Sequence, residues 1–139
     1  MMVVRLAHVC IETDDFGPTE EFYAHLGIHR QFEFRNKQDE LVGLYLSVGD
    51  TTYIEIIKVK NPLSEGNMRH FALQVDDVDA TRKLLMSKGL EVTEKELGID
   101  HTLMITSHDP NGNFIEFHQY TDKSMQLHGG VCEIDYVPK

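Results

Sequence analysis

The chain has 139 residues, of which 41% are hydrophobic, and this is enough to build the core of one ordinary domain or of two small modules. Thirteen lysines and arginines against 23 aspartates and glutamates give a net charge of 13 − 23 = −10, which opposes binding to nucleic acid or to an anionic membrane surface. No apolar run approaches the roughly 20 residues of a membrane helix, the two cysteines make no disulfide framework, and no secretory signal is visible, so we expect a cytoplasmic protein with a small-molecule or protein partner.

The first half of the chain combines strand and helix patterns. Met1 to Thr13 alternates apolar and polar residues, which predicts a strand with His8 and Cys10 on one face. A helix is expected next, because Pro18 suits the first helical position and Gly27 is a natural stop. Three predicted strands complete the order βαβββ: Gln31–Arg35, Leu41–Val48 and Thr52–Val59.

The second half repeats this order at low sequence identity. A shift of 62 residues lays His8 on His70 and Asp14-Asp15 on Asp76-Asp77. A shift of 61 then lays Tyr53-Ile54-Glu55-Ile56 on Phe114-Ile115-Glu116-Phe117. Asp77 is expected to cap the second helix. The strands predicted for this half are Met68–Val75, Glu91–Lys95, Thr102–Ser107 and Asn113–Tyr120.

The repeat predicts an α+β fold of two tandem modules, residues 3–60 and 67–120, within a single domain over residues 1–120. Residues 121–139 have no counterpart in the first half, and Gly129-Gly130 separates them from a short alternating segment, Val131 to Val137. Two interpretations of this C-terminal segment stay open: a docked arm or lid, or a loosely held tail.

A turn followed by a strand that carries an acid stands out near the end of the second module. In Asp109-Pro110-Asn111-Gly112-Asn113, Pro110 presets a turn and Asn111-Gly112 is expected to supply left-handed positions. On the strand that follows, Phe114, Glu116 and His118 share one face. A carboxylate between two rings is costly unless that face is wet or the acid has a partner such as a metal or a cation.

Each module places a histidine on its first strand and a glutamate on its last, 47 residues apart in the first and 46 in the second. Any one of these residues taken alone is most simply a structural polar group. The repetition of the whole set is what favours a site for Zn, Ni, Co, Mn or Fe, because imidazole and carboxylate suit these divalent ions. The predicted metal ligands are His8, Glu55, His70 and Glu116.

Other polar residues have simpler interpretations. Cys10 shares a face with His8 but has no visible base, so a small core residue is predicted rather than a nucleophile. Asp14-Asp15 and Asp76-Asp77 stand at strand-to-helix turns, where capping accounts for them.

With these features the chain resembles the vicinal oxygen chelate superfamily, which includes glyoxalase I, methylmalonyl-CoA epimerase, fosfomycin resistance proteins, extradiol dioxygenases and bleomycin resistance proteins. The resemblance covers residues of about 3 to 120 and rests on the duplicated βαβββ order, the Leu26-Gly27 helix end and the segment 109–116. It implies a curved mixed sheet. It also implies a homodimer in which each site takes one histidine and one glutamate from each subunit.

Within that superfamily the ligand set resembles glyoxalase I most, since dioxygenases and fosfomycin enzymes lack the first-module carboxylate and methylmalonyl-CoA epimerase has a neutral amide in place of Glu55. The resemblance implies metal-assisted proton transfer through an enediolate on a small 2-oxo substrate or its thiol adduct, with Glu116 as first base and Glu55 as its counterpart. Glu12 and Val59 stand where glyoxalase I has an arginine and an asparagine for glutathione. An epimerase-like metalloenzyme and a non-catalytic, antibiotic-binding protein are the alternatives.

Overall fold

The computed structural model describes residues 5–63 and 68–138, and the chain divides into two compact units, Met1–Asn67 and Met68–Lys139. Each unit contains one four-stranded mixed sheet, and the sheets have the same order of strands. This confirms the predicted α+β class, whereas the single domain over residues 1–120 stays a prediction. No helix in the described part of the chain is long and apolar enough to span a bilayer.

The first unit has the strand order β1-β4-β3-β2, with β1 and β4 parallel and the other neighbours antiparallel. Helix α1 begins after Asp15, whose side chain accepts a hydrogen bond from the Gly17 amide, and ends before Gly27, which has a φ of 77°. The elements are β1 (His8–Thr13), α1 (Phe16–His25), β2 (His29–Arg35), β3 (Leu41–Gly49) and β4 (Thr52–Lys58).

The core of the first unit lies on one face of its sheet only. Alternate residues of β3 and β4 are buried there together with Phe22 and Tyr23 of α1. Because side chains alternate along a strand, Glu55 and its neighbours on the other face are left outside this core. The fully buried strand residues are Leu44, Leu46, Ile54 and Ile56.

The second unit repeats this arrangement with the order β5-β8-β7-β6, in which β5 and β8 are parallel. Asp77 caps α2 through the Ala80 amide, as predicted. The core again lies on one face, where Ile115 and Phe117 are fully buried. The elements are β5 (Phe71–Gln74), α2 (Val78–Ser87), β6 (Glu96–Leu97), β7 (Leu103–His108) and β8 (Phe114–Gln119).

Three predicted strands differ from the observed ones. The strand predicted from Met1 begins at His8 and that from Met68 begins at Phe71; residues 1–4 lie outside the described chain. The prediction of a strand at Glu91–Lys95 is wrong, since the strand observed in this part of the chain is Glu96–Leu97. Thr93 explains this, because its hydroxyl, rather than a backbone carbonyl, accepts from the Thr106 amide and interrupts a regular ladder.

The turn before β8 is held by Asp109, which is buried. Its carboxylate accepts hydrogen bonds from the backbone amides of Asn111 and Asn113, and its carbonyl accepts from the Gly112 amide. Within this turn only Gly112 has a positive φ, of 80°, so the expectation of a left-handed Asn111 is wrong. A turn that places one left-handed residue before the returning strand needs glycine at that position alone.

The C-terminal segment packs on the second unit through Ser124, which is fully buried. Its hydroxyl accepts from the Thr102 hydroxyl at 2.8 Å and from the Thr121 amide at 2.8 Å. A short helix, α3 (Met125–His128), follows. Beyond Gly129-Gly130, the described residues to 138 form no strand and are mostly exposed.

Candidate metal centre

In the first unit, His8 and Glu55 lie on the sheet face that carries no helix. The parallel register pairs His8 with Tyr53 and Cys10 with Glu55. The side chains of His8 and Glu55 therefore lie on neighbouring strands and on the same face of the sheet. His8 Nε2 lies 3.2 Å from Glu55 Oε2. The Glu55 side chain is 22% exposed, so its charge is partly withdrawn from water and the imidazole is its close partner.

Tyr45 is a functional neighbour that sequence patterns did not single out. Its register position on β3 is opposite Glu55, and its hydroxyl lies 2.8 Å from His8 Nδ1. A hydrogen bond to the second ring nitrogen fixes the orientation of an imidazole and leaves Nε2 directed to the carboxylate. Burial, followed by the negative charge of Glu55, raises the pKa of the Tyr45 hydroxyl, which keeps it protonated. Its place between Leu44 and Leu46, two core positions of β3, was the available signal, because it puts Tyr45 on the opposite face.

In the second unit, Glu116 has two histidine partners. His70 Nε2 lies 3.2 Å and His118 Nε2 3.0 Å from the same oxygen, Glu116 Oε1. His70 stands one residue before β5 rather than on it, and His118 shares the strand face of Glu116 as predicted. The Glu116 side chain is 17% exposed. Glu116, which stands between Phe114 and His118 on its strand face, is therefore stabilised by the imidazoles of His70 and His118.

The two units differ in how they hold the histidine. His8 Nδ1 has the Tyr45 hydroxyl, whereas His70 Nδ1 is buried and has no hydrogen-bond partner within the described chain. Thr106 occupies the position opposite Glu116 that Tyr45 occupies opposite Glu55. A threonine is too short to reach the imidazole in the same way. The second unit therefore keeps the histidine–glutamate pair but lacks the hydroxyl that binds Nδ1 of the histidine in the first unit.

The predicted ligands thus lie as two pairs, His8 with Glu55 and His70 with Glu116. His70 and His118 both lie close to one oxygen of Glu116, but across residues 5–63 and 68–138 no group of three or more histidine, cysteine, aspartate or glutamate side chains is placed to hold a metal ion. A site that uses all four residues stays a prediction.

Each pair nevertheless fits two neighbouring ligands of one divalent ion. Nitrogen and oxygen ligands about 2.1 Å from an ion such as Zn²⁺ lie roughly 3 Å apart when they are adjacent. The separation of 3.2 Å in both pairs agrees with this spacing, and the carboxylates have imidazole rather than arginine or lysine as their close partner. Such a donor set suits Zn, Ni, Co, Mn or Fe.

Cys10 differs from expectation, and Glu12 has a backbone partner. Cys10 is exposed, so the prediction of a core residue is wrong, because the core side of β1 is the face of Ile11 and Thr13. The residue is exposed as a whole, but partial desolvation of its thiol, followed by the charges of Glu55 and Glu12, raises the pKa of Cys10 and suppresses the thiolate. Glu12 Oε1 accepts a hydrogen bond from the Leu63 amide at 2.8 Å.

A cavity of about 900 Å³ lies elsewhere in the second unit, between the Ile99–His101 loop and the C-terminal segment. It contains none of the four predicted ligands. Cys132 and Glu133 are among its lining residues, and its wide opening to solvent gives no enclosed site.

Comparison with known proteins places these features in a family. The model described as Glyoxalase/Bleomycin resistance protein/Dioxygenase superfamily matches residues 5–117. No curated protein matches the chain.

Solved structures with the same fold cover most of the chain. A glyoxalase family protein from Enterococcus faecalis is 23% identical, with a TM-score of 0.71 over 85% of this chain and 99% of that one. The fosfomycin resistance protein FosX from Listeria monocytogenes is 19% identical, with a TM-score of 0.71 over 88% and 98%. The bleomycin resistance determinant of transposon Tn5 is 21% identical, with a TM-score of 0.64 over 84% and 98%. By its sequence match and its duplicated sheets, the chain belongs to the glyoxalase/bleomycin resistance protein/dioxygenase superfamily.

Proposed function

We propose that the protein is a glyoxalase-I-like metalloenzyme that moves a proton beside a carbonyl group of a small 2-oxo substrate or of its thiol adduct. The observation that carries this proposal is the repetition of one pair: in each unit a histidine nitrogen lies 3.2 Å from a carboxylate oxygen, on the sheet face opposite the core. Members of the superfamily typically use a divalent metal. The proposed ligands are His8, Glu55, His70 and Glu116.

A divalent ion bound by these residues would supply Lewis-acid stabilisation of negative charge on a substrate oxygen. The carboxylates supply the proton transfer. Glu116 is assigned as the first base and Glu55 as its counterpart, and each lies on a face where partial burial strengthens its interaction with a substrate proton. His118 Nε2, at 3.0 Å, holds the Glu116 carboxylate in one orientation.

Glu55 separates this proposal from the other metalloenzymes that share the fold. Among the proteins that the chain resembles, fosfomycin enzymes and dioxygenases lack a first-module carboxylate, whereas in this chain the carboxylate is present and paired with His8. Glutathione is a poor fit to the first unit, since Glu12 carries a negative charge where glyoxalase I has an arginine. The proposed thiol adduct is therefore one without the carboxylates of glutathione.

The same proposal includes a homodimer in which sites are shared between subunits. Light scattering should give twice the chain mass of 16.0 kDa, or 32 kDa. A monomeric mass would contradict the shared-site arrangement.

The test is proton exchange at the carbon beside a carbonyl, followed by NMR in deuterated water across 2-oxoaldehyde thiol adducts and acyl-CoA compounds. Exchange that requires Glu116 and a divalent ion supports the enzyme, whereas binding without exchange supports a second candidate. That candidate is a small-molecule binding protein of the antibiotic-resistance kind, favoured by the exposed rings of Phe32 and Phe34 on the first unit's sheet.

A further inference from the structure

Four aromatic side chains form a continuous patch on the first unit, here named the aromatic platform: Phe32, Phe34, Tyr45 and Tyr53. Phe32 stacks on Tyr45 with ring centroids 4.5 Å apart and an interplanar angle of 22°. Phe34 and Tyr53 contact Tyr45 at 6.2 and 5.1 Å. The platform is joined to the His8–Glu55 pair through the Tyr45 hydroxyl.

The rings of the platform are held in place and yet exposed. Phe32 is 45% and Phe34 38% exposed, which is high for large apolar side chains. Gly43 leaves room for Phe34 to lie against the sheet, because a Cβ added at Gly43 would fall 2.7 Å from the Phe34 ring. The platform is therefore a preorganised apolar surface in contact with solvent.

The repeat shows that the fold does not require the stacked pair Phe32 and Tyr45. At the register position of Tyr45 the second unit has Thr106, and Thr93 contacts it as Phe32 contacts Tyr45. The two threonine hydroxyls lie 3.2 Å apart and bond to each other. The strands β5, β8 and β7 pair as β1, β4 and β3 do, so these three strands form without a ring at the Tyr45 position, and that ring is available for a further role.

The arginines of β2, the strand that carries Phe32 and Phe34, are already paired with carboxylates. The guanidinium of Arg30 is occupied by Glu20 and Glu33, and that of Arg35 by Glu33. The carboxylate of Glu55 lies beside Tyr45, on the same sheet face as the platform. Neither guanidinium is therefore free to pair with a carboxylate or phosphate ligand, so the side chains near the platform favour a neutral or cationic one.

We propose that the aromatic platform binds a planar aromatic group of a neutral or cationic substrate, whose vicinal oxygens then lie toward the His8–Glu55 pair. This inference rests on the proposed function, since it takes this face as the substrate side. Aromatic rings stack on one another more favourably than their buried area alone predicts. The substrate class is thus an aromatic 2-oxo or 2-hydroxy carbonyl compound.

The experiment compares three probes that separate the ring from the charge. 2-Hydroxyacetophenone has a ring and two vicinal oxygens, hydroxyacetone keeps the oxygens without the ring, and phenylglyoxylate keeps the ring with a negative charge. Dissociation constants are measured by NMR titration of the full chain, both as purified and after chelation. We expect 2-hydroxyacetophenone to bind about tenfold more tightly than either other probe.

Variants of Phe32 test the surface itself. Phe32→Thr, which introduces the residue of the second unit at the equivalent position, and Phe32→Leu, which keeps bulk without a ring face, should both lose most of that preference. Phe32→Tyr should retain it. Phe16→Leu is the matched control, because Phe16 lies against Lys58 at the start of the first helix and outside the platform.

Equal binding of 2-hydroxyacetophenone and hydroxyacetone, unchanged in Phe32→Leu, would overturn the inference. A changed oligomeric mass in Phe32→Leu with unchanged probe binding would also overturn it, by assigning the platform to a contact between copies. Metal content and proton exchange are measured on the same samples. If the unmodified protein shows no ring preference but holds the metal and catalyses exchange, only this inference is refuted. If it shows the ring preference but neither metal nor exchange, only the proposed function is refuted.

Discussion

Phe117→Ala tests the assignment of the two sheet faces on which the site depends. Phe117 is fully buried on the core side of β8, whereas Phe114, three residues earlier, lies half-buried on the Glu116 side. Burial of about 150–250 Å² of phenylalanine at about 25 cal/mol per Å² corresponds to roughly 4–6 kcal/mol. Measured losses for such substitutions are about 3–5 kcal/mol, so we expect the melting temperature to fall by about 10–15 °C.

Phe114→Ala is the matched control, because the same atoms are removed from the same strand. Its ring contacts those of His70 and His108 and remains partly exposed, so we expect about half the loss. Urea unfolding followed by circular dichroism gives both free energies. A loss for Phe114→Ala equal to or larger than that for Phe117→Ala would refute the assignment of Glu116 to the face outside the core.

Cys10, Asp109 and Ser124 give three further predictions. The first uses metal-free protein in which Cys132→Ser leaves Cys10 as the one thiol of the sequence. In this background Glu55→Gln should speed the alkylation of Cys10 at pH 8, because the charge of Glu55 adds to desolvation in raising the thiol pKa and its removal increases the thiolate fraction. An unchanged alkylation rate would contradict this. Asp109→Ala should cost about 2–4 kcal/mol in urea unfolding, since two backbone amides lose their acceptor, and a loss below about 0.5 kcal/mol would contradict the role of the turn. Ser124→Ala should cost about 1–3 kcal/mol because the Thr121 amide loses its acceptor, the Ser124 hydroxyl. Val131→Ala, at a position 91% exposed, should stay within about 0.5 kcal/mol, and equal losses would refute docking through Ser124.

Sequence periodicity was sufficient to predict the two sheets because each strand has one buried face. Alternation correctly placed Glu116 and His118 together, and the repeat correctly matched Asp77 to a helix cap. The strand at Glu91–Lys95 could not be excluded from the sequence, since a threonine hydroxyl that replaces a backbone acceptor leaves no trace in a hydrophobic pattern.

The support around the candidate site was less visible in the sequence. Tyr45 becomes a partner of His8 only through the register of β3 against β4, and register depends on turn geometry rather than on composition. The exposure of Cys10 required knowledge of which face of β1 is covered. Both depend on contacts between distant parts of the first unit, which single-sequence patterns do not encode.

The metal content of the purified protein and of four single variants tests the central claim most directly. Elemental analysis of protein prepared without added metal should show about one divalent ion per chain. His8→Ala, Glu55→Gln, His70→Ala and Glu116→Gln should each lose it, while His128→Ala, an exposed histidine on α3, serves as the control and should keep it. Retention of the ion in His70→Ala, or its absence from the unmodified protein, would contradict a site built from both pairs.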